Sequence, residues 1–271
     1  MSTLAKRVLT ALVGVPVLLG GAYLGGWIFA ALMLAIALIG QQELYSMLDR
    51  SGVKPFRLTG LAIGACFSVQ ALAPAMAGVA LALLVALVAV LPFVAPERPL
   101  ERLSGTLLGA FYPTALLMTL VELRVARTPV VGDLDAFYLV VALFLFIWAT
   151  DTAAYFVGKG IGRHKLAPAI SPNKTWEGSI GGALGAVAVA IAMKLTVLGF
   201  VPWGHLLVLA FICGVVSQLG DLAQSGLKRS VGVKDAGAIL PGHGGVLDRF
   251  DAMILAAPLF LLYLRWMANL I

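Results

Sequence analysis

The stretch Leu240–Asp251, LPGHGGVLDRFD, stands directly before an apolar run, AMILAAPLFLLYL. It offers a histidine, His243, the glycines Gly244 and Gly245, a basic residue, Arg249, and two carboxylates, Asp248 and Asp251. The carboxylates are three positions apart, which puts them on one face of the helix that the run predicts. Upstream, GDLAQSGLKRS places Asp221, Ser225 and Lys228 at i, i+4 and i+7, one face again if the helix continues, with Arg229 next and Lys234 beyond. Asp221, Asp248 and Asp251 can thus converge from two helices. Clustered carboxylates repel, and even one acidic residue at mid-membrane costs about 2.5–3.5 kcal/mol. A divalent cation removes that repulsion. Magnesium suits the inventory, because it takes oxygen ligands and shares them with water and substrate phosphate; zinc would call for Cys or several His at metal spacing. Lys228, Arg229, Lys234 and Arg249 complement phosphate charge, and Gly244 and Gly245 let the backbone approach a ligand closely. His243 reads equally as a loop hydrogen-bonder and as a catalytic group. Together these residues point to phosphate chemistry at a lipid surface.

A second polar segment runs from Val157 to Gly178. Ser171, Asn173, Lys174 and Thr175 precede a predicted helix N-terminus, where free amides and the helix dipole favour an anion. Ser171 or Thr175 can instead cap that helix, with Glu177 as its first-turn carboxylate. Lys174 has no capping role, which tilts the segment towards an anionic ligand. Asp151 lies just upstream, inside a predicted span.

The elements that must position these residues are membrane helices. The 271 residues are 61% hydrophobic and 12% charged, against roughly 45–50% apolar in soluble domains. Apolar runs predict an all-α bundle of about nine transmembrane helices, near 8–24, 27–48, 58–74, 77–94, 104–121, 136–156, 179–199, 205–222 and 251–270. This gives a region 1–135 with about five spans, then a catalytic region 136–271 with long loops at 157–178 and 222–250. The opening residues read as a first span rather than a secretory signal, since no A-x-A-like site follows. With the N-terminus inside, 15 of the 19 Lys and Arg residues fall on one side, leaving Arg124, Arg127, Lys194 and Arg265 for the other. The bias predicts a cytoplasmic N-terminus, a periplasmic C-terminus and a site facing the cytosol. Cys66 and Cys213 fall within spans and read as small core residues. Membrane lipid is an expected partner, nucleic acid is not.

From Ser225 to Asp251 the chain resembles the phosphatidate cytidylyltransferases, or CDP-diacylglycerol synthases: SGLKR, KD and LPGHGGVLDRFD stand at the family's spacing. The stretches around Asp151-Thr152, Tyr155–Gly158, His164–Leu166 and Ile170–Gly178 are similar too. The resemblance is specific in the C-terminal half and only one of hydropathy in the N-terminal half. It implies a magnesium-dependent reaction of CTP with phosphatidate, with room for a second cation, in a homodimer of the bacterial inner membrane. On this reading Asp221, Asp248 and Asp251 bind the cation, and Lys228, Arg229, Arg249 and His243 belong to the catalytic set. Ser171, Asn173, Lys174, Thr175, Ser225, Lys234, Gly244 and Gly245 meet substrate. A CTP-dependent polyprenol or phytol kinase is the nearest alternative. An ion-coupled transporter would require its carboxylates nearer mid-membrane.

Overall fold

The computed structural model describes residues 3–94, 97–240 and 244–271. The helices are α1 (Thr3–Leu24), α2 (Gly26–Arg50), α3 (Arg57–Val69), α4 (Ala75–Val94), α5 (Pro99–Gly109), α6 (Thr119–Val125), α7 (Asp133–Ile161), α8 (Trp176–Thr196), α9 (Trp203–Ser230) and α10 (Leu247–Leu262). A two-stranded antiparallel hairpin, β1 (Lys165–Ala167) and β2 (Ser171–Thr175), joins α7 to α8. Among the described residues, six helical stretches are long and apolar enough to cross a membrane, and three shorter apolar helices accompany them. The chain is therefore an all-α protein built for a bilayer. One of the short ones, α3, has 13 residues and rises only about 20 Å at 1.5 Å per residue, less than a hydrocarbon core of about 30 Å. The run predicted at 58–74 thus ends early.

Several ends differ from the hydropathy reading in the opposite sense. Helix α7 continues to Ile161, α9 to Ser230, and α10 begins at Leu247 rather than 251. Hydropathy drops where a helix leaves lipid, but the hydrogen-bonded backbone has no reason to stop there. The charged ends stay helical, and the long loops shrink accordingly.

Two compact units divide the chain: residues 1–121 with 230–250, and residues 122–229 with 251–271. In the first unit, α1 turns into α2 through Gly25 and Gly26, both at positive φ (64° and 48°), a conformation that side chains disfavour. Ile63, Leu87 and Ala110 form a buried cluster against Phe56, Phe67 and Leu103. Gln41, Tyr45, Thr106 and Thr114 lace α2 to α5 and the turn beyond it: Gln41 donates to Tyr45 Oη (2.8 Å), Tyr45 to the Thr106 carbonyl (2.8 Å) and Thr114 to Gln41 (2.9 Å). A π-helical turn at Ala110–Ala115 contains Pro113, whose missing N–H the wider turn accommodates.

In the second unit, α7 and α8 pack backbone to backbone through a glycine seam. A Cβ on Gly178 would lie 2.8 Å from the Ala154 carbonyl, on Gly182 2.8 Å from that of Thr150, and on Gly185 2.9 Å from that of Ala149. This is the small-residue packing that lipid-embedded helices use in place of a hydrophobic drive. Helix α9 approaches α8 in the same way, at Gly214 against the Ala183 backbone. Near Asp133, where α7 begins, lies an ionic belt: Asp133 pairs with Arg124 (2.7 Å) and Arg127 (2.6 Å), and Arg265 pairs with Glu122. The other end of α7, a helix of 29 residues, carries the groups described next. Cys66 and Cys213 are unbridged, Cys213 buried.

Candidate functional site

In the second unit a cavity of about 510 Å³ opens beside the far end of α7. Helix α7 contributes Asp151, Tyr155, Gly158 and Lys159, a stripe at i, i+4, i+7 and i+8. The hairpin contributes Asn173, Lys174 and Thr175, and α9 contributes Gln218 and Asp221. Lys174 Nζ lies 2.7 Å from Asp221 Oδ2. Ser225 Oγ donates to Asp221 Oδ1 at 3.2 Å, one turn along α9, so the helix does continue as its spacing predicts.

Thr175 ends β2 and caps α8, its hydroxyl accepting from the Gly178 amide at 3.1 Å. It also lines the cavity, so the capping role foreseen for it is compatible with a place in the cavity wall. Ser171 instead pairs with Ala167 in the hairpin, which removes it as a helix cap. Glu177 anchors the hairpin from outside: it accepts from the Arg163 and His164 amides and meets His164 Nδ1 at 2.6 Å.

Asp251, in the second turn of α10, is buried, and its Oδ1 accepts from the Ala252 amide at 2.7 Å. The charges of Asp221, Asp151 and Lys228 all act on it. Lys228 is itself buried, at 8% exposure, which a lysine accepts only near compensating charge. Helix α9 approaches closely here, since a Cβ on Gly220 would lie 2.6 Å from the Asp251 carbonyl. On the same face as Asp221 and Lys228 are Ser217 and Gln224, whose hydroxyl and amide are buried without a hydrogen-bond partner among the described residues.

The first unit holds the other carboxylate. Asp248 Oδ2 accepts from the amides of Ala236 (2.8 Å) and Gly245 (2.9 Å). Gly244 has φ 79°, and a Cβ there would lie 2.9 Å from Asp248 Oδ2. Leu240 and Gly244 bridge the loop. Lys234, Arg229 and Arg249 are exposed. His243 lies outside the described residues. Among those residues, no group of three or more His, Cys, Asp or Glu is arranged to hold a metal ion.

The profile of the cytidylyltransferase family matches residues 5–267. The chain belongs to that family. A stretch of 156 residues is 47% identical to phosphatidate cytidylyltransferase of Brucella suis biovar 1 (strain 1330), covering 57% of this chain and 55% of the relative. The enzyme of the same name from Staphylococcus epidermidis (strain ATCC 12228 / FDA PCI 1200) is 50% identical over 116 residues, 43% of this chain and 45% of that one. The matched stretches span about half the length of these relatives. In this member of the cytidylyltransferase family the cavity wall thus combines two lysines, two carboxylates and a capped helix start.

Two contributors to this geometry are not apparent in the sequence reading. Gln218 lines the cavity and donates to the Ser179 and Gly214 carbonyls (3.0 and 2.5 Å); as a lone amide in an apolar run it stands out only by its polarity. Glu43, on α2, accepts from the Val246 and Leu247 amides in the first unit, and no side-chain motif announces it.

Proposed function

We propose that the protein transfers CMP from CTP to phosphatidate, giving CDP-diacylglycerol and pyrophosphate. The observation that carries this reading is the cavity in which Lys174 and Asp221 pair beside Asp151, in a chain of the cytidylyltransferase family. A phosphatidate phosphate oxygen attacks the α-phosphorus of CTP, the bond from that phosphorus to the bridging oxygen breaks, and pyrophosphate leaves. Such a reaction asks for positioning and charge neutralisation, not a covalent nucleophile on the protein.

The donor set fits magnesium. Asp221 and Asp251 offer hard oxygens within each other's electrostatic field, and the Ser217 hydroxyl and the Gln224 amide oxygen on the Asp221 face are unpartnered among the described residues. Magnesium uses one or two carboxylates and leaves its other positions to water and substrate phosphate. The family's motif assigns Asp248 to cation binding as well, with a second cation in the same chemistry. The ion supplies neutralisation of the triphosphate. Lys174 holds a phosphate once it parts from Asp221. Lys228, Arg229, Lys234 and Arg249 complement the remaining phosphate charge and Asn173 and Ser225 offer neutral hydrogen bonds, while the substrate-binding role of Ser171, Gly244 and Gly245 and the catalytic role of His243 carry over from the family's motif.

CTP comes from water and phosphatidate stays in the leaflet, so the site belongs at the cytoplasmic face of the bacterial inner membrane, with the protein a homodimer. The reading is tested with purified protein, phosphatidate, α-labelled CTP and magnesium. Labelled CDP-lipid with one pyrophosphate per turnover is expected, and Asp248→Asn should cut the rate by at least about 10²-fold. Release of CDP in place of pyrophosphate would mark a lipid kinase and refute the proposal.

A further inference from the structure

Glu43 is an acidic residue in the interior of an apolar helix, 5% exposed. Its partners lie about 200 residues away in sequence. Oε1 accepts from the Val246 amide at 3.0 Å and Oε2 from the Leu247 amide at 2.8 Å. Leu247 is the first residue of α10, so these amides belong to the set that no helix can satisfy internally at its start. The next amide back, that of Gly245, donates to Asp248. Three consecutive N–H groups at the head of α10 are thus taken by two carboxylates, one from α10 itself and one from α2.

The fit around Glu43 is tight where it faces Gly237 and Gly245. A Cβ on Gly245 would lie 2.5 Å from Oε2, and one on Gly237 would collide with Oε1. Gly237 and Gly245 therefore have a steric reason in Glu43, apart from any approach to ligand. Helix α2 is held in turn: Gly40 packs on the Leu247 side chain, and the Gln41–Tyr45–Thr106–Thr114 bonds fix the same turns of α2. A carboxylate on a braced helix that accepts two adjacent amides sets both the position and the rotation of the helix that carries them. Asp248 is the second residue of that helix, and Asp251 follows one turn on.

We propose that Glu43 is a positioning residue for the transfer reaction: by clamping the Val246 and Leu247 amides it fixes the first turn of α10 and so aims Asp248. The inference rests on the cytidylyltransferase reading for its kinetic consequence, and on the clamp alone for its structural one. The N-terminal helices then contribute to chemistry through geometry, without touching substrate.

The test compares wild type, Glu43→Gln and Glu43→Asp, each purified at full length. Hydrogen–deuterium exchange over residues 236–250 and steady-state kinetics are measured on the same samples, with the folded fraction taken from the size-exclusion profile. Glu43→Gln keeps the shape but turns an N–H₂ towards one donor, so exchange at Val246 and Leu247 should rise. The kcat per folded molecule should fall by about 10²-fold, the scale of a misplacement of roughly 1 Å, with KM for CTP changed by less than about threefold. Glu43→Asp, which keeps the charge but withdraws it by one methylene, should lie between. Gly245→Ala, which intrudes on an intact Glu43, should reproduce the Glu43→Gln kinetics, and adding it to Glu43→Gln should cost far less than the sum. Unchanged exchange, or unchanged kcat per folded molecule in Glu43→Gln, would overturn the inference. If wild type makes no CDP-lipid the transferase reading fails, whereas the exchange arm still decides whether Glu43 holds the turn.

Discussion

Lys174 and Asp221 hold each other at 2.7 Å in the wall of the cavity, each partly exposed. A pair so placed contributes little to stability, about 0–1 kcal/mol. Losing either partner should therefore leave the fold nearly intact while stripping the site of a phosphate cation or a carboxylate. Lys174→Gln and Asp221→Asn should each lower kcat/KM by about 10²-fold or more, with thermal midpoints within a few degrees of wild type. The charge-swapped double variant Lys174→Asp/Asp221→Lys separates the two roles. A purely structural pair would recover activity when swapped, whereas a pair that hands its charges to nucleotide and cation would stay inactive. Thr175 is a sharper structural case, because its hydroxyl caps α8. Thr175→Ala should cost about 1 kcal/mol of helix stability and Thr175→Ser very little, read as unfolding midpoints in mild detergent.

The elements matter because they bring distant residues to one place with little freedom. The α7–α8 seam fixes Asp151 on one side of the cavity and the hairpin residues on the other, and it does so through glycines that admit no side chain. Gly182→Val should push the helices apart and cost about 1–3 kcal/mol, with activity falling as well. Gly204→Ala, where a Cβ meets nothing within 4 Å, should be neutral or slightly stabilising. The same comparison shows what the sequence can and cannot tell. Polar residues in a greasy chain stand out, so Asp221, Ser225 and Lys228 on one helix face, and the helix start at Thr175, were legible from spacing alone. The hairpin was not: strands of three and five residues, one of them containing Pro172, leave no alternating pattern. Helix ends were misplaced because hydropathy marks where lipid ends, not where hydrogen bonding does. Glu43 was invisible for a different reason, since it binds backbone amides, which every residue carries and no motif encodes.

At the scale of the whole molecule the cavity serves one face of the membrane, and the second unit supplies markers for both ends of α7. Asp133, with Arg124 and Arg127, stands at one end, and Lys159 with the hairpin stands at the other. A helix of 29 residues rises about 43 Å at 1.5 Å per residue, enough to separate the two groups by a full bilayer. The excess of Lys and Arg on the hairpin side predicts a cytosolic location for that end, as the proposed reaction also requires, since CTP does not cross membranes unaided. Single cysteines decide the matter. In a Cys66→Ala/Cys213→Ala background, which removes both native thiols, Lys165→Cys should react with a membrane-impermeant maleimide only after the cells are broken open. Arg127→Cys, exposed beside Asp133, should react in cells whose outer layers alone have been made permeable. Labelling of Lys165→Cys in intact cells would put the cavity on the outer face, out of reach of cytosolic CTP, and the proposed reaction would have no nucleotide supply.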